Sequence, residues 1–235
     1  MSNPTTNDRF VRQADLVPQD KLAGLTVTVI GIGAVGRQVA LQLAAIGVRR
    51  IVLFDHDHVE PTNMTTQGYG HGDLDQPKVL AMQQAIARID PEIVVTPVPD
   101  RFRPRYEASD VTFCCVDKIA ARTAIWRMLG SQCRFWSDGR MLGETLRVLA
   151  ASTEAERRHY ASTLFAAQEA VPGRCTARST IYCASLCAGL MIHLFSRWLR
   201  GIPLDRDLSM NLLASEMVLA DENPPERHVS QTAPM

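Results

Sequence analysis

Apolar residues fall in short runs separated by polar, Gly- or Pro-containing breaks, and the period of the runs changes along the chain. Val27-Thr28-Val29-Ile30 and Ile51-Val52-Leu53-Phe54 are continuous apolar runs of strand length, whereas residues 34–46 and 78–89 carry apolar side chains at helical spacing. The order that results is strand 26–30, helix 34–46, strand 51–54, a loop, helix 78–89, strand 93–98, strand 111–115, helix 119–130 and strand 134–136. Such alternation predicts parallel strands joined by right-handed crossovers, with helices on both faces of the sheet. Beyond Leu142 the pattern changes to a Thr145–Ala150 run, a helix-like polar stretch at 154–169, a loop around 171–180, an apolar helix from Ile181 to Leu199 and a last strand near 208–213. This half is expected to be partly antiparallel. The predicted class is therefore α/β, doubly wound and mainly parallel, with antiparallel C-terminal strands. Residues 1–20 form a polar arm with a short helical piece at 8–13, residues 21–220 form one domain, and 221–235 are expected to be a disordered tail.

The first strand runs into Gly31-Ile32-Gly33-Ala34-Val35-Gly36. That spacing makes the sheet Rossmann-like: Gly31 permits a tight turn, Gly33 lets the backbone approach a phosphate or ribose, and Gly36 lets the helix pack on the strand. Asp55 ends the second strand about 20 residues on, where a carboxylate can accept ribose hydroxyls. Alone, the fingerprint favours NAD. Polar and cationic groups follow in Asp55-His56-Asp57-His58-Val59-Glu60-Pro61-Thr62-Asn63-Met64 and Gln76-Pro77-Lys78-Val79, and a hydride-transfer site has no use for them. Asp55, Asp117 and Asp138 each stand after an apolar strand, so all three are expected at the crevice beyond the strand ends.

Lys plus Arg and Asp plus Glu both number 25, so net charge is zero and no basic run suggests nucleic acid as a partner. The polar N-terminus is not a secretory signal, and the segment 181–199, interrupted by His193 and Arg197, is read as a buried or subunit-facing helix rather than a membrane span. A cytoplasmic location is expected. Six cysteines, at 114, 115, 133, 175, 183 and 187, include no CxxC pair, so no structural zinc is expected.

Taken together, Gly31-x-Gly33-x-x-Gly36, Asp55-x-Asp57-x-Val59-Glu60-x-x-Asn63, Gln76-Pro77-Lys78-Val79 and Cys115-Val116-Asp117 resemble the adenylation domain of ubiquitin-activating enzymes and of the bacterial ThiF, MoeB and HesA adenylyltransferases. The resemblance covers residues 7–150 well and the Cys175 loop more loosely. It implies ATP and Mg2+ as cofactors, with Asp55 and Asp57 on the ribose side, Asn63 on ribose or phosphate oxygens, Lys78 neutralising the triphosphate and Asp117 binding the magnesium. Bland roles stay open: a turn cap for Asp55, a turn former for Asn63, a solvated lysine for Lys78 and a helix cap for Asp117.

One position departs from the family pattern. Where relatives carry Asn-x-x-Arg-Gln, this chain reads Asn63-Met64-Thr65-Thr66-Gln67, so Thr66 stands in place of an arginine. Arg140, in Ser137-Asp138-Gly139-Arg140, is expected either to reach the crevice or to make a surface salt bridge. Arg12 resembles the family's N-terminal arginine that reaches into the other subunit's ATP site, which implies a homodimer.

Cys175 lies between Arg174 and Arg178 before a helix, a setting that favours a thiolate. The resemblance makes it the candidate acceptor of a thioester, while Cys114, Cys115, Cys183 and Cys187 read as core residues and Cys133 is undecided. The minimal form resembles activating enzymes of bacterial ubiquitin-like conjugation operons, some antiviral, with a ubiquitin-like protein and a ubiquitin-conjugating-like enzyme as partners. The alternatives are a sulfur-carrier adenylyltransferase of thiamine or molybdenum cofactor biosynthesis, an NAD-dependent oxidoreductase, and an inactive scaffold.

Overall fold

Side chains alternate across each strand and build two hydrophobic layers on one sheet. Val29, Leu53, Phe113, Phe135 and Val148 enter one layer, and their neighbours Ile30, Phe54, Cys114, Trp136 and Leu149 enter the other. The computed structural model describes residues 8–107, 109–165 and 180–220.

A 3-10 helix at Asp8–Gln13 and α1 (Gln19–Ala23) precede β1 (Thr26–Ile30), α2 (Ala34–Ile46), β2 (Arg50–Phe54), α3 (Pro61–Gln67), α4 (Lys78–Ile89), β3 (Val94–Val98), β4 (Val111–Cys114), α5 (Ile119–Leu129) and β5 (Phe135–Leu142). The chain continues through β6 (Thr145–Ala151), α6 (Glu154–Ser162), α7 (Ile181–Arg200), β7 (Asp207–Asn211) and β8 (Glu216–Leu219). Strand order is β3-β2-β1-β4-β5-β6-β7-β8. The first five of these are parallel, and β6, β7 and β8 are added antiparallel. The order reverses between β1 and β4, and a crevice opens there beyond the carboxyl ends of the strands.

Helices α2, α4 and α7 cover one face, and α5 and α6 the other. The apolar helix is α7, with a buried stripe of Cys183, Ala184, Cys187, Ala188, Met191, Ile192, Leu194, Phe195 and Leu199 at helical spacing. By length and composition alone α7 could cross a membrane, but that stripe is buried against α2, β5 and β6.

The structure corrects several expectations. The loop after β2 contains α3, whose Pro61 at the first helical position and Glu60–Asn63 cap are the signal the loop reading overlooked. β5 runs to Leu142 instead of stopping near 136, because β6 pairs with it antiparallel from Trp136 to Leu142. The polar helix is shorter than 154–169, ending at Ser162, with 166–169 outside the described residues. The last strand ends at Asn211, not 213, and β8 was not anticipated.

Candidate nucleotide-binding site

Steric limits shape the glycine loop. Gly31 has φ +89°, a conformation side chains resist, and a Cβ there would stand 2.9 Å from the Cys115 carbonyl oxygen. A Cβ on Gly36 would collide with the Gly31 carbonyl, so both glycines are required for α2 to close on β1 and β4. Gly33 differs. Nothing lies within 4 Å of where its Cβ would be, and it is the cap residue of α2. The amide end of a 13-residue helix therefore faces open space at the β1/β4 reversal, which suits an anionic group.

Asp55 is 8% exposed and braces this loop. Its Oδ2 accepts the Ile32 N–H at 2.6 Å and its Oδ1 the Asp57 N–H at 2.9 Å. Each carboxylate oxygen keeps a lone pair for a ribose hydroxyl. Tyr69 donates its hydroxyl to the Ile32 carbonyl at 2.7 Å, so both polar groups of that residue are held. Burial, and then the Asp55 charge, push the Tyr69 phenol far up, and it stays a proton donor.

A small antiparallel ladder joins the loop after β2 to the start of α4. Val59 N–H donates to the Gln76 carbonyl at 2.9 Å, Lys78 N–H to the Asp57 carbonyl at 3.0 Å, and His58 pairs with Pro77. The Lys78 ammonium is thereby fixed 3.3 Å from Asp57, with 8% of its side chain exposed against 54% for Asp57. Lys78 is therefore not a solvated lysine; its one counterion among the described residues is an exposed carboxylate, which an anionic ligand can replace.

Asn63 is buried on α3. Its Oδ1 accepts the Glu60 N–H at 3.0 Å, so it caps α3 where a turn former was considered, while its Nδ2 donates to nothing among the described residues. Asp117 follows β4 and is exposed. The cap of α5 is Lys118, so Asp117 is not the cap, and among the described residues no hydrogen bond or ion pair engages its carboxylate. Donor atoms of Asp55, His56 and Asp57 lie within 4.8 Å of one another, but both aspartates are already engaged, whereas Asp117 is a free hard oxygen ligand. The open space at Gly33 and the unengaged Asp117 and Asn63 groups fit a nucleotide with its divalent cation.

Asp138 and Arg140 are placed otherwise than expected. Asp138 does not follow β5 at the crevice; it lies within β5, fully buried, because the β6 partner extends the strand past it. Arg122 Nε reaches its Oδ1 and Arg140 Nε its Oδ2, both at 2.8 Å, and the Tyr160 hydroxyl donates to Oδ2 at 3.0 Å. Burial alone would raise the carboxyl, but the two guanidinium groups hold it below the usual carboxylate range. Arg140 also donates to the Thr163 carbonyl and hydroxyl at 3.1 Å, so it is tied into this buried cluster rather than a surface salt bridge. Among the described residues Thr66 only donates back to the Thr62 carbonyl.

Sequence reading missed Arg37. It lies one turn into α2, its guanidinium 4.9 Å above the Tyr69 ring, and its buried Nε has no hydrogen-bond partner among the described residues. Burial lowers its pKa, and the nearby Tyr69 and Asp73 offset this only in part. Its cue was its place just after Gly36. Arg12 is exposed on the 3-10 helix. The arm packs at the far end of α2, with the Gln13 carboxamide on the Ile46 carbonyl, and Arg12 is therefore remote from its own subunit's crevice. Burial raises the thiols of Cys114, to about 12, and of Cys115, Cys133, Cys183 and Cys187, so none is set up as a nucleophile. Cys175, the loop 171–179 and the tail 221–235 lie outside the described residues.

The profile of the ThiF family matches residues 6–229. Over 113 residues, 46% of the chain, it is 34% identical to the sulfur carrier protein ThiS adenylyltransferase of Escherichia coli K12, covering 45% of that protein. Over 142 residues, 53% of the chain, it is 27% identical to ubiquitin-like modifier-activating enzyme 5 of Dictyostelium discoideum, covering 37% of it. The chain thus spans less than half the length of these relatives. Escherichia coli MccB shares the fold, with a TM-score of 0.72 at 16% identity over 93% of this chain and 71% of MccB.

Proposed function

The chain belongs to the ThiF family, and from that premise we propose that it adenylates the C-terminal glycine of a ubiquitin-like carrier protein with ATP. One observation carries the reading: the Gly33 opening, Asp55 and the unengaged Asp117 stand at the carboxyl ends of neighbouring parallel strands, and Lys78, at the start of α4, is held beside Asp57 in the loop after β2.

The carrier carboxylate attacks the α-phosphorus of ATP, an acyl–phosphate bond forms, and the bond to pyrophosphate breaks. Two anions meet in this step, so fixed positive charge lowers its barrier. The α2 amide end and Lys78 supply that charge within the subunit, with Lys78 exchanging Asp57 for triphosphate oxygens. Asp55 holds the ribose while keeping the glycine loop in shape. Asp117 would hold Mg2+, which when bound offsets charge on the phosphates. With Thr66 in place of arginine and Arg140 bound to Asp138, the remaining cation comes from Arg12 of a second copy of this chain in a homodimer.

The finer reading is ubiquitin-like conjugation in the cytoplasm, in a defence role: the Cys175 thiolate attacks the acyl-adenylate, a thioester forms as AMP leaves, and the carrier then passes to a conjugating enzyme. The 34% identity to a sulfur-carrier adenylyltransferase favours a second reading, activation for sulfur transfer.

Carrier-dependent ATP–pyrophosphate exchange tests the common step. Lys78→Ala should lower it roughly 10²–10³-fold; exchange at the wild-type rate would show the site is misassigned. With carrier and ATP, a reductant-sensitive adduct lost in Cys175→Ala supports conjugation. Active exchange with no adduct and a thiocarboxylated carrier supports sulfur transfer.

A further inference from the structure

The arm that bears Arg12 is not loosely attached. Phe10 is buried, 5% exposed, and its ring fills the place where a Cβ on Gly47 would stand, 2.8 Å away. Gln13 and Gln19 both donate to the Ile46 carbonyl, at 3.3 and 2.9 Å, and Ser196 donates to the Leu16 carbonyl at 2.7 Å. Arg9 is ion-paired with Asp90, and Arg49 Nη1 lies 2.9 Å from the same Oδ2. Asp90 Oδ1 accepts the Glu92 N–H at 3.0 Å. Its side chain is 3% exposed, so the clamp is shielded from solvent on the acid side.

Every one of these anchors except Ser196 is at the amino end of the sheet or the C-terminal end of α2 or α4. The crevice is at the other end of α2, about 20 Å away for 13 residues at about 1.5 Å each. An arginine on this arm cannot serve its own crevice. Arg12 is exposed and has no partner among the described residues, and Val11 beside it and Leu16 beyond are 67% and 57% exposed. An unpaired cation flanked by uncovered apolar side chains fits a protein surface offering anionic ligand, which a second copy's crevice provides.

We propose that Asp90 is a positioning residue for the neighbouring subunit's nucleotide site: by clamping Arg9 to Arg49 it fixes the arm so that Arg12 enters the crevice of a second copy of this chain. The inference rests on the adenylation reading and on Arg12 acting across the dimer. Asp90 touches no nucleotide; it acts through the arm, at the opposite end of its own subunit from its own site.

Mixed dimers separate this role from a merely structural one. One subunit carries Lys78→Ala, so only its partner's crevice works, and that crevice receives the arm of the Lys78→Ala subunit. Asp90→Asn is placed either in the Lys78→Ala subunit or in the other, and pyrophosphate exchange is followed against ATP concentration. The first placement should be weaker than the second by roughly tenfold or more, as a raised KM for ATP, since a misplaced charge of about 1 Å is costly. Arg9→Gln, which leaves the Arg49–Asp90 pair intact, should show the same asymmetry. Equal losses from both placements would make the clamp structural only and overturn the inference. Asymmetry for Arg12→Ala without asymmetry for Asp90→Asn or Arg9→Gln overturns it while leaving the trans arginine standing. Symmetry for Arg12→Ala overturns both; exchange at the wild-type rate in the Lys78→Ala homodimer misassigns Lys78 and with it the inference, whereas absence of carrier-dependent exchange in the wild type removes the adenylation reading beneath them.

Discussion

Asp117 follows and Asp138 occupies neighbouring parallel strands, yet the carboxylate of the first is exposed with no partner among the described residues and the second is fully buried under two arginines and a tyrosine. The crevice and the Asp138 cluster use the same residue types in opposite ways. Around Asp138 every charged group is hydrogen-bonded, two guanidinium groups sharing one carboxylate: Arg122 bonds to Asp138, to the Gly139 carbonyl at 2.8 Å and to the Asp117 carbonyl at 3.2 Å. In the crevice charges are left over, in Asp117 and in the Lys78–Asp57 pair with its exposed acid. Matched buried charge holds a structure together, and unmatched charge near solvent is what a ligand can use. The two regions are joined, because the Arg122 bond to the Asp117 carbonyl fixes the backbone that carries the free carboxylate.

The comparison predicts its largest effect at the buried cluster. Asp138→Ala leaves two buried guanidinium groups without their shared anion and should cost about 3–5 kcal/mol, read as a lower midpoint in denaturant unfolding. Acid should act the same way. The folded-state carboxyl is held below its ordinary value, so its stabilisation is complete above the unfolded value, about pH 4, and is lost as pH falls through the folded one. Stability measured from pH 6 down to pH 2 should therefore fall more steeply in the wild type than in Asp138→Asn; parallel curves would contradict the assignment.

Asp117→Ala should do the reverse. Unfolding should shift by no more than about 0.5 kcal/mol, while carrier-dependent exchange falls roughly 10²–10³-fold. Equal loss of stability and activity would place Asp117 with the buried cluster. Asn63 lies between the two extremes, since its Oδ1 caps α3 and its Nδ2 is unused. Asn63→Ala should cost about 1 kcal/mol of stability. Asn63→Asp, which keeps the cap acceptor and removes the amide donor, should retain that stability but raise the KM for ATP; an unchanged KM would leave Asn63 a cap alone.

Much of the crevice was legible as spacing. Strand-length apolar runs followed by Gly31-x-Gly33-x-x-Gly36, and the bounds of α2 and α4, rest on local sterics and helix periodicity, which act over a few residues. Asp55 and Asp117 were legible because a polar residue after a buried strand has one place to go. Asp138 looked the same by that criterion. Its fate depends on β6, whose pairing extends β5 and carries the aspartate inward, and on Arg122 sixteen residues earlier and Tyr160 twenty-two later.

By itself, then, the sequence determined the strand and helix pattern, the glycine loop and which carboxylates and lysine stand near it, because each follows from short-range geometry. Only the tertiary structure decided which charges are satisfied: that Arg140 is bound to Asp138 and Thr163, that Lys78 meets Asp57 through a ladder between two loops, and that Arg12 is anchored at the end of the subunit away from its own crevice. The physical reason is that a charge's role is set by its solvation and its counterions, and those are supplied by residues distant along the chain.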